Sequence, residues 1–171
     1  MPITLANALP SRLDWHRHRV PEKQTEPGDD DAGFVGLQAA YRSKGGLVRA
    51  EALAACWSAA GAGGYIELAR HIVAGQLFSL RWHDAVWLPL FQVDANTHTV
   101  REAPRQVLEA FQGALGGWDL ARWFLRGQAV LGGGRPVDLL ERDLPAVLAV
   151  ARADREAVAA AALAWPCRPA R

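Results

Sequence analysis

The spacing of apolar residues changes at residue 78, and that change restricts the possible folds more than any other feature of this chain. Upstream, GGLVRAEALAACWSAAG places Leu47, Ala50, Leu53, Ala54 and Trp57 at helical intervals, one buried face of a helix. Gly61, Gly63 and Gly64 then mark a turn. YIELARHIVAGQL repeats the helical period, with Ile66, Ala69 and Val73 expected inward and Glu67, Arg70, His71 and Ala74 outward. From FSLRW onward the apolar positions alternate: Phe78, Leu80 and Trp82, then, beyond His83-Asp84, Val86, Leu88 and Leu90. Two such runs joined by two residues predict a hairpin. Pro89, without an amide donor, predicts an edge position for its second strand. Helix, glycine turn, helix, hairpin is the order of a winged helix-turn-helix, with the hairpin as the wing.

The second half returns to helices. Pro104 suits a first helical turn, and Val107, Leu108, Phe111 and Leu115 form the stripe behind it. After Gly116-Gly117, residues 118–126 predict a helix with Leu120, Trp123 and Phe124 on one side. Gly132, Gly133 and Gly134 interrupt the chain, Pro136 starts a short helix, and Asp143 can cap a long alanine-rich one carrying Leu144, Val147, Leu148, Ala151 and Val158. Arg155, in phase with that stripe, marks where its core face ends. The expected fold is mostly α: a winged helix-turn-helix at 36–94, a polar boundary at 94–103, and a small helical bundle at 103–165. Residues 1–35, with four prolines, Arg12, Arg17, Arg19 and the acidic EPGDDD, predict a flexible arm.

At 171 residues and 50% hydrophobic content there is room for one sizeable core or two small ones. A formal net charge of +1 gives no bulk attraction for nucleic acid, so any DNA contact must be local. Cys56 and Cys167 stand far apart without CxxC or paired histidines, which suggests neither a disulfide framework nor a zinc site. The N-terminus has no secretory apolar run and no segment reaches membrane-spanning length, so a cytoplasmic protein is expected.

Catalysis finds little support. The four serines sit in no GxSxG, and neither a phosphate loop nor HExxH occurs. Asp138 and Glu141 read as a solvated face. The glycines at 61–64 follow a helix rather than a strand, which argues against a dinucleotide site, and His16 with His18 is a weak metal signal. No enzyme, metal or cofactor is expected.

For DNA, the candidate contacts are Arg70 and His71 on the second helix, Tyr65 at its start, Arg81 on the wing and Arg49 on the preceding helix. Glu67 and Asp84 oppose phosphate, so DNA contact stands even with a winged helix used for protein binding or dimerisation. Trp82 and Trp87 fall out of register along the hairpin, which predicts one packed beneath the wing and the other open to a partner, unless neighbouring helices or the arm cover both.

The run WDLARWFLRGQAVLGGGRPVDLL, residues 118–140, resembles the C-terminal toxin-binding domain of Xre/MbcA/ParS-type antitoxins. The matching residues are Trp123-Phe124-Leu125, Leu131-Gly132-Gly133, Pro136 and Asp138-Leu139-Leu140, and residues 74–94 are similar to the wing of related antitoxins. The resemblance implies a homodimer that occludes a cognate protein toxin, often of the NAD-consuming RES type, and represses its own promoter. It implies partner contacts at Trp118, Trp123, Leu131, Gly132, Gly133, Arg135 and Pro136, and at Arg152 and Arg155 toward the C-terminal end. The alternatives are a transcriptional regulator, or an interaction adaptor without a toxin partner.

Overall fold

Helix formation already begins at Asp31, inside the expected arm. In the computed structural model, which describes residues 31–164, α1 spans Asp31–Tyr41. Asp31 places a carboxylate in its first turn, and Phe34, Leu37 and Tyr41 bury one face at helical spacing. Tyr41 is fully buried, and its hydroxyl donates to the Ala121 carbonyl at 2.8 Å. The four prolines and the two histidines noted upstream lie outside the described residues.

The next expectation also needs correction. Leu47–Arg49 is a strand, β1, rather than the first turn of a helix. Gly45 and Gly46 take φ of +93° and +80°, which ends a short 3-10 turn and releases extended chain. Helix α2 then runs Ala50–Ala59 with Ala50, Leu53, Ala54 and Trp57 buried as the pattern requires. Helix α3 is Gly64–Val73, but its inward face is Gly64, Leu68 and Ile72; Ile66 and Val73 point outward, 74% and 86% exposed.

The hairpin forms as predicted, β2 (Leu80–Trp82) and β3 (Ala85–Pro89) joined through His83-Asp84. Sheet order is β1-β3-β2, all antiparallel, so β3 is central and not an edge. Pro89 is tolerated because it ends the strand opposite Leu47, and the Leu90 amide resumes pairing by donating to the Gly46 carbonyl at 3.0 Å.

The polar stretch expected as a boundary contains a small ribbon, β4 (Val93–Asp94) paired with β5 (Thr99–Val100). The Asp94 carboxylate accepts the amides of Asn96 and Thr97 at its turn, which lowers the Asp94 pKa. Four helices follow: α4 (Glu102–Phe111), α5 (Gly117–Leu125), α6 (Pro136–Leu139) and α7 (Leu144–Ala164). Asp143 Oδ1 accepts the Ala146 amide at 3.2 Å, the cap expected for α7. The described chain is thus mostly helical with a small antiparallel sheet.

Two apolar clusters support it. The smaller lies between α2, α3 and the sheet face bearing Leu88. The larger runs across residues 94–103, joining Phe34, Phe78 and Leu80 to Val107, Phe124 and Val147. Gln92, fully buried, fixes the chain between them: it accepts the Phe78 amide at 2.8 Å and donates to the carbonyls of Phe78 and Pro89 at 3.0 and 3.2 Å.

Candidate protein-interaction surfaces

Two surfaces stand out, the outer face of α3 and the loop that precedes α6. On α3 the expected DNA contacts are weakened by their neighbours. Arg70 Nη1 lies 2.7 Å from Glu67 Oε2, so its charge is already answered on its own helix. His71 was expected outward but is tucked in: its ring meets Trp57 edge-on at 5.8 Å, and Nδ1 lies 2.5 Å from Gln76 Oε1. Beside the paired Arg70, α3 shows Tyr65, Ile66 and Val73 to solvent. Beside it a small groove of about 150 Å³, lined by Leu68, Ile72, Ser79 and Val86, opens toward the sheet.

Arg81, exposed on β2, shares the α3-facing side of the sheet with Val86, its register partner. Arg49 is exposed on the opposite side, its guanidinium 5.3 Å from the Trp87 ring centre. The five residues proposed for DNA therefore do not form one surface. The expected division of the two tryptophans fails as well. Trp82 pairs with Ala85 across the two-residue turn, so Trp82 and Trp87 share a face. Both pack on Phe34, Trp82 stacked at 4.0 Å and Trp87 edge-on at 4.9 Å. Helix α1 covers them, which is why neither stands open. Their buried indole nitrogens have no hydrogen-bond partner.

The glycine-rich loop is ordered by its own backbone. The Gln128 carbonyl accepts the amides of Leu131 and Gly133 at 3.0 and 2.9 Å, and the Gly134 carbonyl accepts the Gln128 amide at 3.0 Å. Gly132 and Gly133 adopt φ of +64° and +81°, the left-handed region where a side chain is strained. At Gly127 a Cβ would stand 2.6 Å from the Gly133 carbonyl oxygen, so the loop's stem closes only over glycine. Leu131 packs against the larger core as expected, and the turn leaves Val130 84% exposed at the tip.

Pro136 is buried at the start of α6. Arg135, expected outward, bends back: Nε donates to Asp138 Oδ2 at 2.6 Å, and Lys44 reaches the other carboxylate oxygen at 3.0 Å. Arg135, then Lys44, hold the Asp138 pKa below its usual value. Trp118 lies against the β2–β3 hairpin, its indole donating to the Arg81 carbonyl at 3.0 Å. Trp123 is 4% exposed and donates to Asp154 Oδ2 at 2.6 Å, so its place is in the core.

Arg152 and Arg155 line a groove of about 480 Å³ between α4 and α7, facing Glu102, Arg105 and Glu109. There the Arg105 guanidinium, with Gln106, holds Glu102 down to about 2. Past Arg155 the α7 side chains are exposed, ending with Leu163 at 89%. The short 3-10 turn Ala129–Leu131 packs beside α7.

Sequence reasoning missed Val130, Ile66 and Val73. Val130 had one usable signal, an apolar side chain between two turn-forming stretches; the two α3 residues had none beyond helical phase. Among the described residues, no group of His, Cys, Asp and Glu is placed to hold a metal, and no helix is long and apolar enough to cross a membrane. No family model, curated protein or solved structure matches the chain.

Proposed function

We propose that this chain is a non-enzymatic, antitoxin-like protein that binds and covers a partner protein where the 127–134 loop meets α7. The carrying observation is the loop itself, closed by its own backbone hydrogen bonds and holding Val130 in solvent. A connector between α5 and α6 needs no such construction. An apolar side chain on a rigid projection has the character of an interface anchor. The far half of α7 is exposed as well, and we include it in the proposed contact. The likeness of residues 118–140 to the antitoxin toxin-binding domain supports the same reading and suggests a toxin, of the RES type, as the partner.

The finer assignment of residues 31–89 is a winged helix-turn-helix. It is supported by the element order α1-β1-α2-α3-β2-β3 and the sheet order β1-β3-β2. As a DNA reader it is impoverished, with Arg70 paired and His71 withdrawn. Binding and occlusion of a partner is therefore favoured over transcriptional regulation alone.

The test is co-expression with the product of the adjacent reading frame, scoring growth and co-purification. The expected result is rescue with a stable complex, lost in Val130→Asp and in Leu163→Asp. Rescue that survives both variants, or a harmless neighbour that does not co-purify, overturns the proposal.

A further inference from the structure

We propose that the first two turns of α1, residues 31–37, are a hinged cover that lifts off the hairpin as a unit and bares Trp82 and Trp87 together, while the rest of the chain stays folded. This inference does not depend on the 127–134 loop or on its partner. The grip of these turns on the hairpin is Phe34, stacked on Trp82 at 4.0 Å and edge-on to Trp87 at 4.9 Å. The one ion pair that joins them to it, His83 Nε2 to Asp31 Oδ1 at 3.1 Å, is largely exposed and adds little.

The contact leaves both indoles unmet. Nε1 of Trp82 and Nε1 of Trp87 are buried without an acceptor. Helix α1 cannot supply one, because its carbonyls serve its own amides four residues on and its buried face carries Phe34 and Leu37. A buried donor without a partner penalises the state that buries it. At about tenfold for each indole, the closed position is weaker by about a hundredfold than a cover of equal apolar area with both donors met. Gly33 and Gly36 lie in the same two turns and lower their preference to stay wound.

The other end of α1 is held differently. Tyr41 is fully buried, its hydroxyl donates to the Ala121 carbonyl and its ring stacks on Phe91 at 5.6 Å. Gln38 and Ala39, between the two anchors, are exposed. The hinge therefore falls at residues 38–40, and α1 opens from Asp31 while staying tied at Tyr41. Lifting it bares two indole donors beside the Arg49 guanidinium, 5.3 Å from the Trp87 ring centre, so the position of α1 governs whether that face can be reached.

Hydrogen exchange of the full chain, read by NMR, tests this. The indole protons of Trp82 and Trp87 and the amides of residues 35–37 are expected to share one opening. Their protection should be lower by about a hundredfold or more than that of the Trp123 indole, which is buried and bonded to Asp154. Gly36→Ala adds a methyl where nothing lies within 4 Å and favours the helix, so protection of both indole protons should rise about fourfold. Phe34→Asp should leave both indole protons unprotected, while the Trp123 indole stays protected and melting stays cooperative. If that variant does not fold, the wild-type exchange decides alone. Exchange of the α1 amides without the two indoles is simple fraying and overturns the proposal. So does exchange of the indoles without the amides, or indole protons as protected as that of Trp123. Indoles indifferent to Gly36→Ala, or still protected in a folded Phe34→Asp chain, overturn it as well.

Discussion

Replacing Gly117 by alanine tests how the hairpin is joined to the helices. Gly117 begins α5 directly against β2: an added Cβ would stand 1.9 Å from the Ser79 carbonyl oxygen and 2.8 Å from its carbon. An ordinary carbon–oxygen contact needs about 3.2 Å, so α5 or β2 must retreat by about 1.3 Å. The obstacle is backbone on both sides, so no rotamer change relieves it. The retreat stretches the Trp118–Arg81 hydrogen bond, worth about 1 kcal/mol, and loosens the stacking of Phe78 on Phe124. With overpacking costs of about 1–3 kcal/mol, a loss of about 3 kcal/mol is expected, or about 6–12 °C in Tm for a chain of this size. Thermal melting by circular dichroism measures it. Gly36→Ala is the control: nothing lies within 4 Å of its Cβ position on the exposed side of α1, and alanine there should raise stability by up to about 1 kcal/mol. If Gly117→Ala melts within about 1 °C of the wild type, against the shift just derived, the close seating of α5 on the strand is refuted.

Three further outcomes are expected. Gln92→Leu keeps approximate volume but strands the Phe78 amide and two carbonyls, so urea denaturation should show a loss of about 2–4 kcal/mol; a loss below about 1 would mean that water replaces the amide. Asp138 has a depressed folded-state pKa, so its contribution is present above the unfolded value near 4 and lost as pH falls through the folded one. Asp138→Asn should therefore destabilise at neutral pH, by under about 1 kcal/mol because the pair is partly exposed, and the difference should vanish in strong acid; a pH-independent difference contradicts this. Val130→Asp should leave the melting temperature unchanged while abolishing co-purification of the partner; a lowered melting temperature would mean that Val130 has a structural role.

Much of the helical half was legible because each apolar stripe there meets one neighbour. Val107, Leu108 and Phe111 on α4, and Val147 and Ala151 on α7, are buried as their spacing requires. What was illegible depended on contacts distant in sequence. Both faces of α3 carry apolar residues, and periodicity chose the wrong one, turning Ile66 and Val73 inward. The structure decides it at Gly64, where a Cβ would already stand 3.2 Å from Ser58 Cβ: α2 and α3 touch along Gly64 and Leu68, which turns Ile66 outward. Leu47 fits a helical stripe and a strand equally, and only pairing with β3 selects the strand. The tryptophan pair was misassigned by counting along the chain, whereas a two-residue turn puts Trp82 and Ala85 side by side. Of the candidate surface, the sequence disclosed the glycine turn at 132–134 but not which side chain it holds out.

The loop at 127–134 also has a kinetic consequence. Its amides at 128 and 131–134 are already bonded, so it lies at the surface with little chain entropy left to lose. A partner that meets it encounters a finished shape and need not wait for the loop to order. Association then proceeds as rigid-body docking, with rates near about 10⁵–10⁷ M⁻¹s⁻¹, and differences in affinity among partners fall on how slowly they leave.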